Sequence, residues 1–144
     1  MEQALQAGFV VSDGLSIVPI GGGILIEGIV DCLGHIRIEV DKRLVFVDSG
    51  DDPLVQTTDY RYNVSIAGVG VMFRYDSPHP DHRQEHHVHR YDVLNGDLEG
   101  TIEFIYDEEE RPVLAEIFEE ASDWFFEHIE ELQQRGIIPP GYPP

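Results

Sequence analysis

The sequence predicts an α+β domain in which a mostly antiparallel β-sheet of about five to seven strands is covered by one long C-terminal helix. Between residues 24 and 106, short segments alternate apolar and polar side chains, which is typical of strands with one buried face. Between residues 112 and 135, apolar residues recur every three or four positions, which is typical of an amphipathic helix. The 144 residues are enough for one core, so we expect a single domain over 1–136 and a Pro-rich tail over 137–144.

The first strands are predicted from segments rich in β-branched residues. Residues 8–11 favour a strand, and the glycines at 21–23 favour a flexible connection. From residue 24 onward the chain is dense in isoleucine and valine. We expect residues 35–48 to form a β-hairpin, with a tight turn at 41–43.

A second strand pair is predicted at 57–68 and 69–76, because alternating residues flank a glycine-rich turn. Two prolines then remove backbone donors, so residues 77–84 are predicted to form a loop. Strand character resumes at 85–93 and again at 99–106. These segments together predict the antiparallel sheet.

The C-terminal helix is the clearest predicted element. Pro112 suits a first helical turn, and Arg135 followed by Gly136 is typical of a helix end. The face opposite its apolar stripe is rich in glutamate. The apolar stripe consists of Leu114, Ile117, Phe118, Ala121, Phe125, Ile129 and Leu132. We therefore expect this helix to cover the sheet.

The chain is strongly acidic, with 28 Asp and Glu against 9 Lys and Arg, and Lys42 is its only lysine. This halophilic-type composition suits a salt-rich cytoplasm, where dense carboxylates keep the surface hydrated. The alternative is that the acidic surface mimics nucleic acid or binds a basic partner, including a second copy of the chain in a homodimer. No apolar run reaches the length of a membrane span and no secretory signal is evident, so we expect a cytoplasmic protein without a membrane partner.

The single cysteine, Cys32, lies in an apolar run. A lone cysteine cannot form an internal disulfide, and its surroundings predict a buried small hydrophobic residue. A thiol nucleophile paired with the nearby His35 is the lesser alternative, because nothing else in this run resembles an activated-thiol site.

Residues 61–90, here called the histidine-rich segment, differ from the rest of the chain. Four arginines against three acids give them a formal charge of +1, whereas the whole chain carries −19. Five of the seven histidines lie in this segment, namely His79, His82, His86, His87 and His89. Such a concentration indicates chemistry or ligand binding. If 85–93 is a strand, His87 and His89 share one face with Glu85, and His86 lies on the other.

One hypothesis for this segment is a metal site with a divalent ion as cofactor. His87 and His89 lie about 7 Å apart along a strand, near enough to share one ion. Neither an HExxH motif nor a cysteine pair is present, so the spacing matches no standard zinc signature. The leading ligand set is His79, His87 and His89, with His82, Asp76 and Glu85 as other candidates for the third ligand.

A second hypothesis is metal-free acid–base catalysis on a phosphodiester, in which one histidine takes the proton of a ribose 2′-hydroxyl and another protonates the leaving oxygen. Such a site needs a cation for the phosphate and benefits from aromatic rings that stack on bases. The candidate cations are Arg61, Arg74, Arg83 and Arg90, and the candidate rings are Tyr62 and Tyr75. A third hypothesis is a solvated loop in which these groups pair with neighbouring acids and catalyse nothing.

The run RYDSPH at 74–79, followed by His87 and His89, resembles the RYDN-x-PHH…HHKH pattern of the TumE-like family, whose members are toxins of toxin–antitoxin pairs. The YRY at 60–62 and a closing helix after an aromatic strand are also similar, so the likeness covers roughly residues 58–132. Ser77 stands where the family usually has Asn. The resemblance implies a toxin that acts on RNA or translation and that has an antitoxin protein as partner.

The leading hypothesis is therefore a TumE-like toxin component with ribonuclease activity. His87 and His89 would act as an acid–base pair or as metal ligands, Arg74 would clamp the phosphate, and Asp76 would orient the histidines. The alternative, from a different class, is a non-catalytic interaction or metal-binding module whose acidic face engages a basic protein.

Overall fold

The computed structural model describes residues 8–47, 54–78 and 85–142. Within these ranges eight strands form one antiparallel sheet, which confirms the predicted sheet class. The strands are β1 (Val10–Asp13), β2 (Ser16–Ile20), β3 (Gly23–Cys32), β4 (Ile36–Val47), β5 (Leu54–Ile66), β6 (Gly70–Asp76), β7 (His86–Arg90) and β8 (Thr101–Ile105). From β3 to β8 each strand pairs with the next one in sequence, while β1 and β2 both pair with β3.

The predicted hairpin at 35–48 is wrong. Strand β4 runs without interruption through Asp41, Lys42 and Arg43, and it pairs with β3 on one side and β5 on the other. These three residues include no glycine or asparagine that would favour the positive φ angles of a two-residue hairpin turn. They continue the alternation of the strand instead, so Val40 and Lys42 lie on one face and Asp41 and Arg43 on the other.

The predicted strand pair around the glycine-rich turn is confirmed as β5 and β6, and β7 and β8 follow as expected. Two neighbouring rows of directly paired residues cross β5, β6 and β7. One row is Tyr62, Tyr75 and Val88, and the other is Arg61, Asp76 and His87. Because side chains alternate along a strand, these rows lie on opposite faces of the sheet.

The hydrophobic core lies between one face of the sheet and the C-terminal helices. We call this the helix face, and the opposite side the outer face. The core contains Ile36, Ile38, Tyr62, Val64, Val88, Ile117, Ala121, Phe125 and Leu132, all of which are almost completely buried. Cys32 is also buried in this core, as predicted. The helix therefore covers the sheet, as its apolar stripe indicates.

The single long helix predicted at 112–135 is wrong, because two helices occupy this region. Helix α1 spans Leu114–Glu127 and helix α2 spans Ile129–Gln134. They are separated at His128, whose backbone has φ −114° and ψ 10°. The His128 imidazole lies 2.7 Å from the Trp124 carbonyl oxygen through Nδ1, so side chain and backbone compete for the same acceptor. Such competition is a recognised cause of helix bending.

Residues 137–142 of the Pro-rich tail pack against the domain through Ile138 and Tyr142. Ile138 is 1% exposed, and Gln133 donates a hydrogen bond to the Tyr142 carbonyl oxygen. The Tyr142 hydroxyl accepts a bond from the Gly34 amide. A side chain at Gly34 would collide with the Phe125 ring, and its φ of +70° also favours glycine.

No helix in the described ranges is long and apolar enough to cross a membrane.

Candidate functional site

The site is built around Asp76, the last residue of β6, whose side chain points to the outer face and is 1% exposed. Arg61 donates through Nε to Oδ1 at 3.1 Å, and Arg74 donates through Nε to Oδ2 at 2.8 Å. A carboxylate removed from water is stable only when it is paired and hydrogen-bonded. The two arginines supply both requirements.

His87 and His89 complete the cluster from the neighbouring strand. Both are on the outer face of β7, and their Nε2 atoms lie 3.6 Å and 3.7 Å from the same Asp76 oxygen, Oδ2. The two imidazole centroids are 4.9 Å apart with the rings nearly perpendicular. This separation is shorter than the strand rise predicts, because both rings lean towards the carboxylate.

The orientation of His87 is set by its other nitrogen. Nδ1 lies 2.9 Å from the Glu85 carbonyl oxygen, which can only accept a hydrogen bond, so Nδ1 carries the proton. In the neutral ring, Nε2 then presents a lone pair to the Asp76 carboxylate. A cation bound between Nε2 and the carboxylate would be attracted by both groups, and metal-ligating histidines commonly donate their second nitrogen to a carbonyl in this way.

His89 is partly buried beside the same carboxylate. Burial lowers the pKa of His89, and the Arg74 cation and His87 lower it further, while Asp76 opposes them. Neutral imidazole is therefore favoured at this position. A neutral ring can offer Nε2 as a donor atom to an ion.

The donor set fits a divalent transition metal ion. One ligand atom each from Asp76, His87 and His89 lies within 4.8 Å of the other two. Ligands of a tetrahedral ion at about 2.0–2.1 Å are about 3.3 Å apart, so small rotations of the side chains would close the site. Two histidines and one carboxylate are a common metal-binding set in enzymes that keep positions open for substrate.

The structure brings together most of the predicted site. Arg74, Asp76, His87 and His89 form one cluster, and Arg61 joins them. Among the described residues, Asp76, one of the candidates for the third ligand, completes the metal set with His87 and His89. His79, His82 and Arg83 lie outside those residues, so their predicted roles stay predictions.

Several predicted contributors lie on the helix face instead. Arg90 pairs with Glu120 of helix α1, and Tyr75 donates to the same carboxylate. Tyr62 is fully buried in the core. The prediction that Tyr62 and Tyr75 stack on bases at this site is therefore wrong. Side chains alternate along a strand, and both rings lie on the helix face.

Aromatic and apolar residues beside the site were not identified as part of it from the sequence. Ile102 and Phe104 of β8 lie directly opposite His89 and His87, and both are about half exposed. Tyr106 follows Phe104 at a ring distance of 6.2 Å. Their alternation is visible in the sequence, but the pairing register of β7 with β8 places them here.

The turn after β6 is stabilised by Ser77. Its hydroxyl accepts a bond from the Tyr60 amide at 3.0 Å and donates to the Tyr60 carbonyl oxygen at 3.2 Å. This leaves the Asp76 carboxylate to the cluster on the outer face. The geometry therefore does not favour a turn-capping role for Asp76.

Comparison of the chain with family models, with curated proteins and with solved structures finds no match. The resemblance to the TumE-like family stays a prediction that depends on the motif residues.

Proposed function

We propose that Asp76, His87 and His89 bind a divalent metal ion, and that the resulting centre cleaves RNA phosphodiesters. One observation supports this most strongly: two imidazole Nε2 atoms from β7 converge on a single buried carboxylate oxygen from β6. When bound, the ion would polarise a phosphate oxygen and lower the pKa of a coordinated water. The protein supplies the remaining functions through its own side chains.

Arg61 and Arg74 are placed to hold the phosphate. Both contact Asp76 through Nε. Within the part of the chain that the structure describes, this leaves their terminal nitrogens available to bind an oxyanion. Their side chains are 56% and 34% exposed, so a substrate can reach them. Guanidinium groups bind phosphate oxygens in a fork geometry, and in the transition state they would offset the growing negative charge.

The surroundings favour a path for RNA over β6, β7 and β8. Ile102, Phe104 and Tyr106 present exposed apolar surface on the outer face, where bases could stack. Beyond Arg61, in the direction of β4, the paired residue Asp41 gives the outer face a negative charge. An RNA strand would be repelled there and attracted over the arginines.

The biological role that we infer is that of a toxin component, with RNA as target and an antitoxin protein as partner. This inference is supported by the motif residues Asp76, His87 and His89, which are also the residues of the proposed centre. A toxin of this kind should inhibit growth when it is expressed without its partner. The His87→Ala, His89→Ala double variant should remove that inhibition.

Metal binding is tested by titrating the purified protein with Co²⁺ and Zn²⁺ after chelator treatment, using the visible absorption of Co²⁺ and isothermal calorimetry. We expect one ion per chain in the wild type and loss of binding in the double histidine variant. His35→Asn is a matched control, because His35 is exposed and its positive φ of 63° is tolerated by asparagine. If the double histidine variant binds metal as well as His35→Asn does, the proposed ligands are excluded.

Catalysis is tested on single-stranded RNA and on DNA of the same sequence, with and without EDTA. Metal-dependent loss of intact RNA in the wild type, absent from the double variant, supports the proposal. Full activity in EDTA would point instead to His87 and His89 as a metal-free acid–base pair. Metal binding without cleavage would favour a metal-binding interaction module.

A further inference from the structure

A second polar site lies on the helix face, on the other side of the sheet from the proposed metal centre. It is a cleft of about 490 Å³ between the strands and the segment that precedes helix α1. We call it the helix-side cleft. Its polar wall includes Lys42 of β4, Thr58 and Tyr60 of β5, His86 of β7, and Arg111. A volume of this size is typical of small-molecule sites.

Two polar groups in this wall are buried and have no hydrogen-bond partner among the residues that the structure describes. They are the hydroxyl of Tyr62, a residue with no exposed surface, and Nε of Arg111. Both residues line the cleft. A buried donor left unsatisfied costs about 1–3 kcal/mol, so such groups call for a ligand or an ordered water.

Two neighbouring groups in this wall are joined by a hydrogen bond. The Tyr60 hydroxyl lies 2.7 Å from Nδ1 of His86, and the Tyr60 and Tyr62 rings are stacked with centroids 5.2 Å apart. Burial raises the pKa of Tyr60 to about 12, so its phenol keeps its proton at neutral pH. Phenols, hydroxyls and guanidinium nitrogens are suited to an oxyanion.

The charge of the cleft also favours an anion. Lys42 and Arg111 are its cations, and Glu108 is the acid in its lining. No ion pair joins Lys42 or Arg111 to an acid within 4.0 Å among residues 8–47, 54–78 and 85–142. The chain has a net charge of −19, so a cleft with two cations that pair with no acid in the described ranges is less negative than its surroundings and favours an anionic ligand.

We propose that the helix-side cleft binds a small organic anion, with Lys42 and Arg111 holding its oxyanion and Tyr60, Tyr62 and His86 contacting its body. The oxyanion is a phosphate monoester or a carboxylate, since both offer several acceptor oxygens to the same donors. Val55 and Pro112 supply apolar contact at the rim of the cleft. This site does not depend on the metal centre, because adjacent residues His86 and His87 point to opposite faces.

The test is a titration of the full chain, labelled with nitrogen-15, monitored by NMR. The probes are phenyl phosphate, benzoate and neutral benzyl alcohol, which share one ring and differ in charge. We expect one of the two anions to shift the amides of Tyr60, Tyr62 and His86 and the Arg111 Nε–H signal, with a Kd of about 1 mM or lower. The stronger anion identifies the oxyanion type.

Lys42→Gln and Arg111→Gln should each weaken binding at least fivefold, about 1 kcal/mol or more. Arg135→Gln is the matched control, because Arg135 pairs with Glu131 and the Leu94 carbonyl away from the cleft. The fold of each variant is checked from its own spectrum, and Lys42→Gln keeps the test valid should Arg111→Gln unfold. The His87→Ala, His89→Ala variant should retain binding, which separates this site from the metal centre.

The proposal is overturned if neither anion binds, if benzyl alcohol binds as well as the anions, or if the shifted signals lie on the outer face. It is also overturned if Lys42→Gln and Arg111→Gln, both folded, bind the anions as the wild type does.

Discussion

The two faces of β5, β6 and β7 contain very different chemistry, although their residues are immediate neighbours along each strand. On the helix face, Tyr62, Tyr75 and Val88 form a row that packs under helix α1. On the outer face, the adjacent row contains Asp76 and His87. Asp76 and His87 are as buried as Tyr62 and Val88, so the two rows differ in what offsets the cost of that burial.

Burial on the helix face is favourable in itself, because apolar area leaves water at roughly 25 cal/mol per Å². Burial of Asp76 on the outer face is costly and is offset by its ion pairs with Arg61 and Arg74. A buried ionic cluster is weak evidence for stability. The helix face therefore contributes most of the stability, whereas the charged cluster of the outer face contributes little and is the site of the proposed metal centre.

The largest effect is expected from removing both imidazoles of the outer face. His87→Ala with His89→Ala should lower RNA cleavage by at least about 1000-fold, because two of three proposed ligands are lost. The free energy of unfolding should change far less than the activity. Parallel measurement of cleavage and of urea denaturation checks this. If the double variant instead loses stability but cleaves RNA with wild-type specific activity, the outer face is not the functional face.

The converse experiment is performed on the helix face. Phe125 is completely buried, and its ring contacts Phe9 and Gly34. Phe125→Ala should lower the free energy of unfolding by about 3–5 kcal/mol through lost burial and the cavity left behind. Metal affinity per folded molecule should stay unchanged. Urea denaturation and Co²⁺ titration of the same sample measure the two quantities, and a parallel loss of metal affinity would show that the faces are coupled.

A smaller effect is expected from replacing Arg61 on the outer face. If Arg61 contacts an RNA phosphate, Arg61→Gln should weaken RNA binding and reduce the slope of log K against log salt by about 0.7. Fluorescence anisotropy with a single-stranded RNA at several salt concentrations measures that slope. Arg37→Gln is the control, because Arg37 pairs with Asp31 on the same face at a distance from the site. An unchanged slope in Arg61→Gln would exclude this contact.

The smallest effect concerns the pH dependence of the helix face. Burial, and to a smaller extent Asp31, raises the pKa of Cys32 from 9.0 to about 12. Above pH 9 the unfolded thiol loses its proton before the folded one, so stability should fall as the pH rises from 9 towards 12. Cys32→Val should flatten this dependence in urea denaturation between pH 8 and about 10.5. An unchanged slope would mean that other groups, such as Tyr60, account for it.

Much of the fold follows from local patterns in the sequence. Alternation in 57–76 and the glycine-rich turn predict β5 and β6 correctly, and the apolar stripe from Leu114 to Leu132 predicts helical cover. The failures arise where local signals are ambiguous. Asp41 to Arg43 look like a turn but are held in β4 by strands on both sides, and the helix is interrupted because the His128 side chain competes for a backbone carbonyl.

The sequence by itself determined that His87 and His89 share one strand face and that His86 does not, because a strand has a period of two residues. Only the tertiary structure decided that Asp76 meets both imidazoles, since this contact depends on the pairing register of β6 with β7. A shift of one residue would have turned Asp76 away from them. The same register places His86 in the helix-side cleft, where the neighbouring residues are distant from it in the sequence.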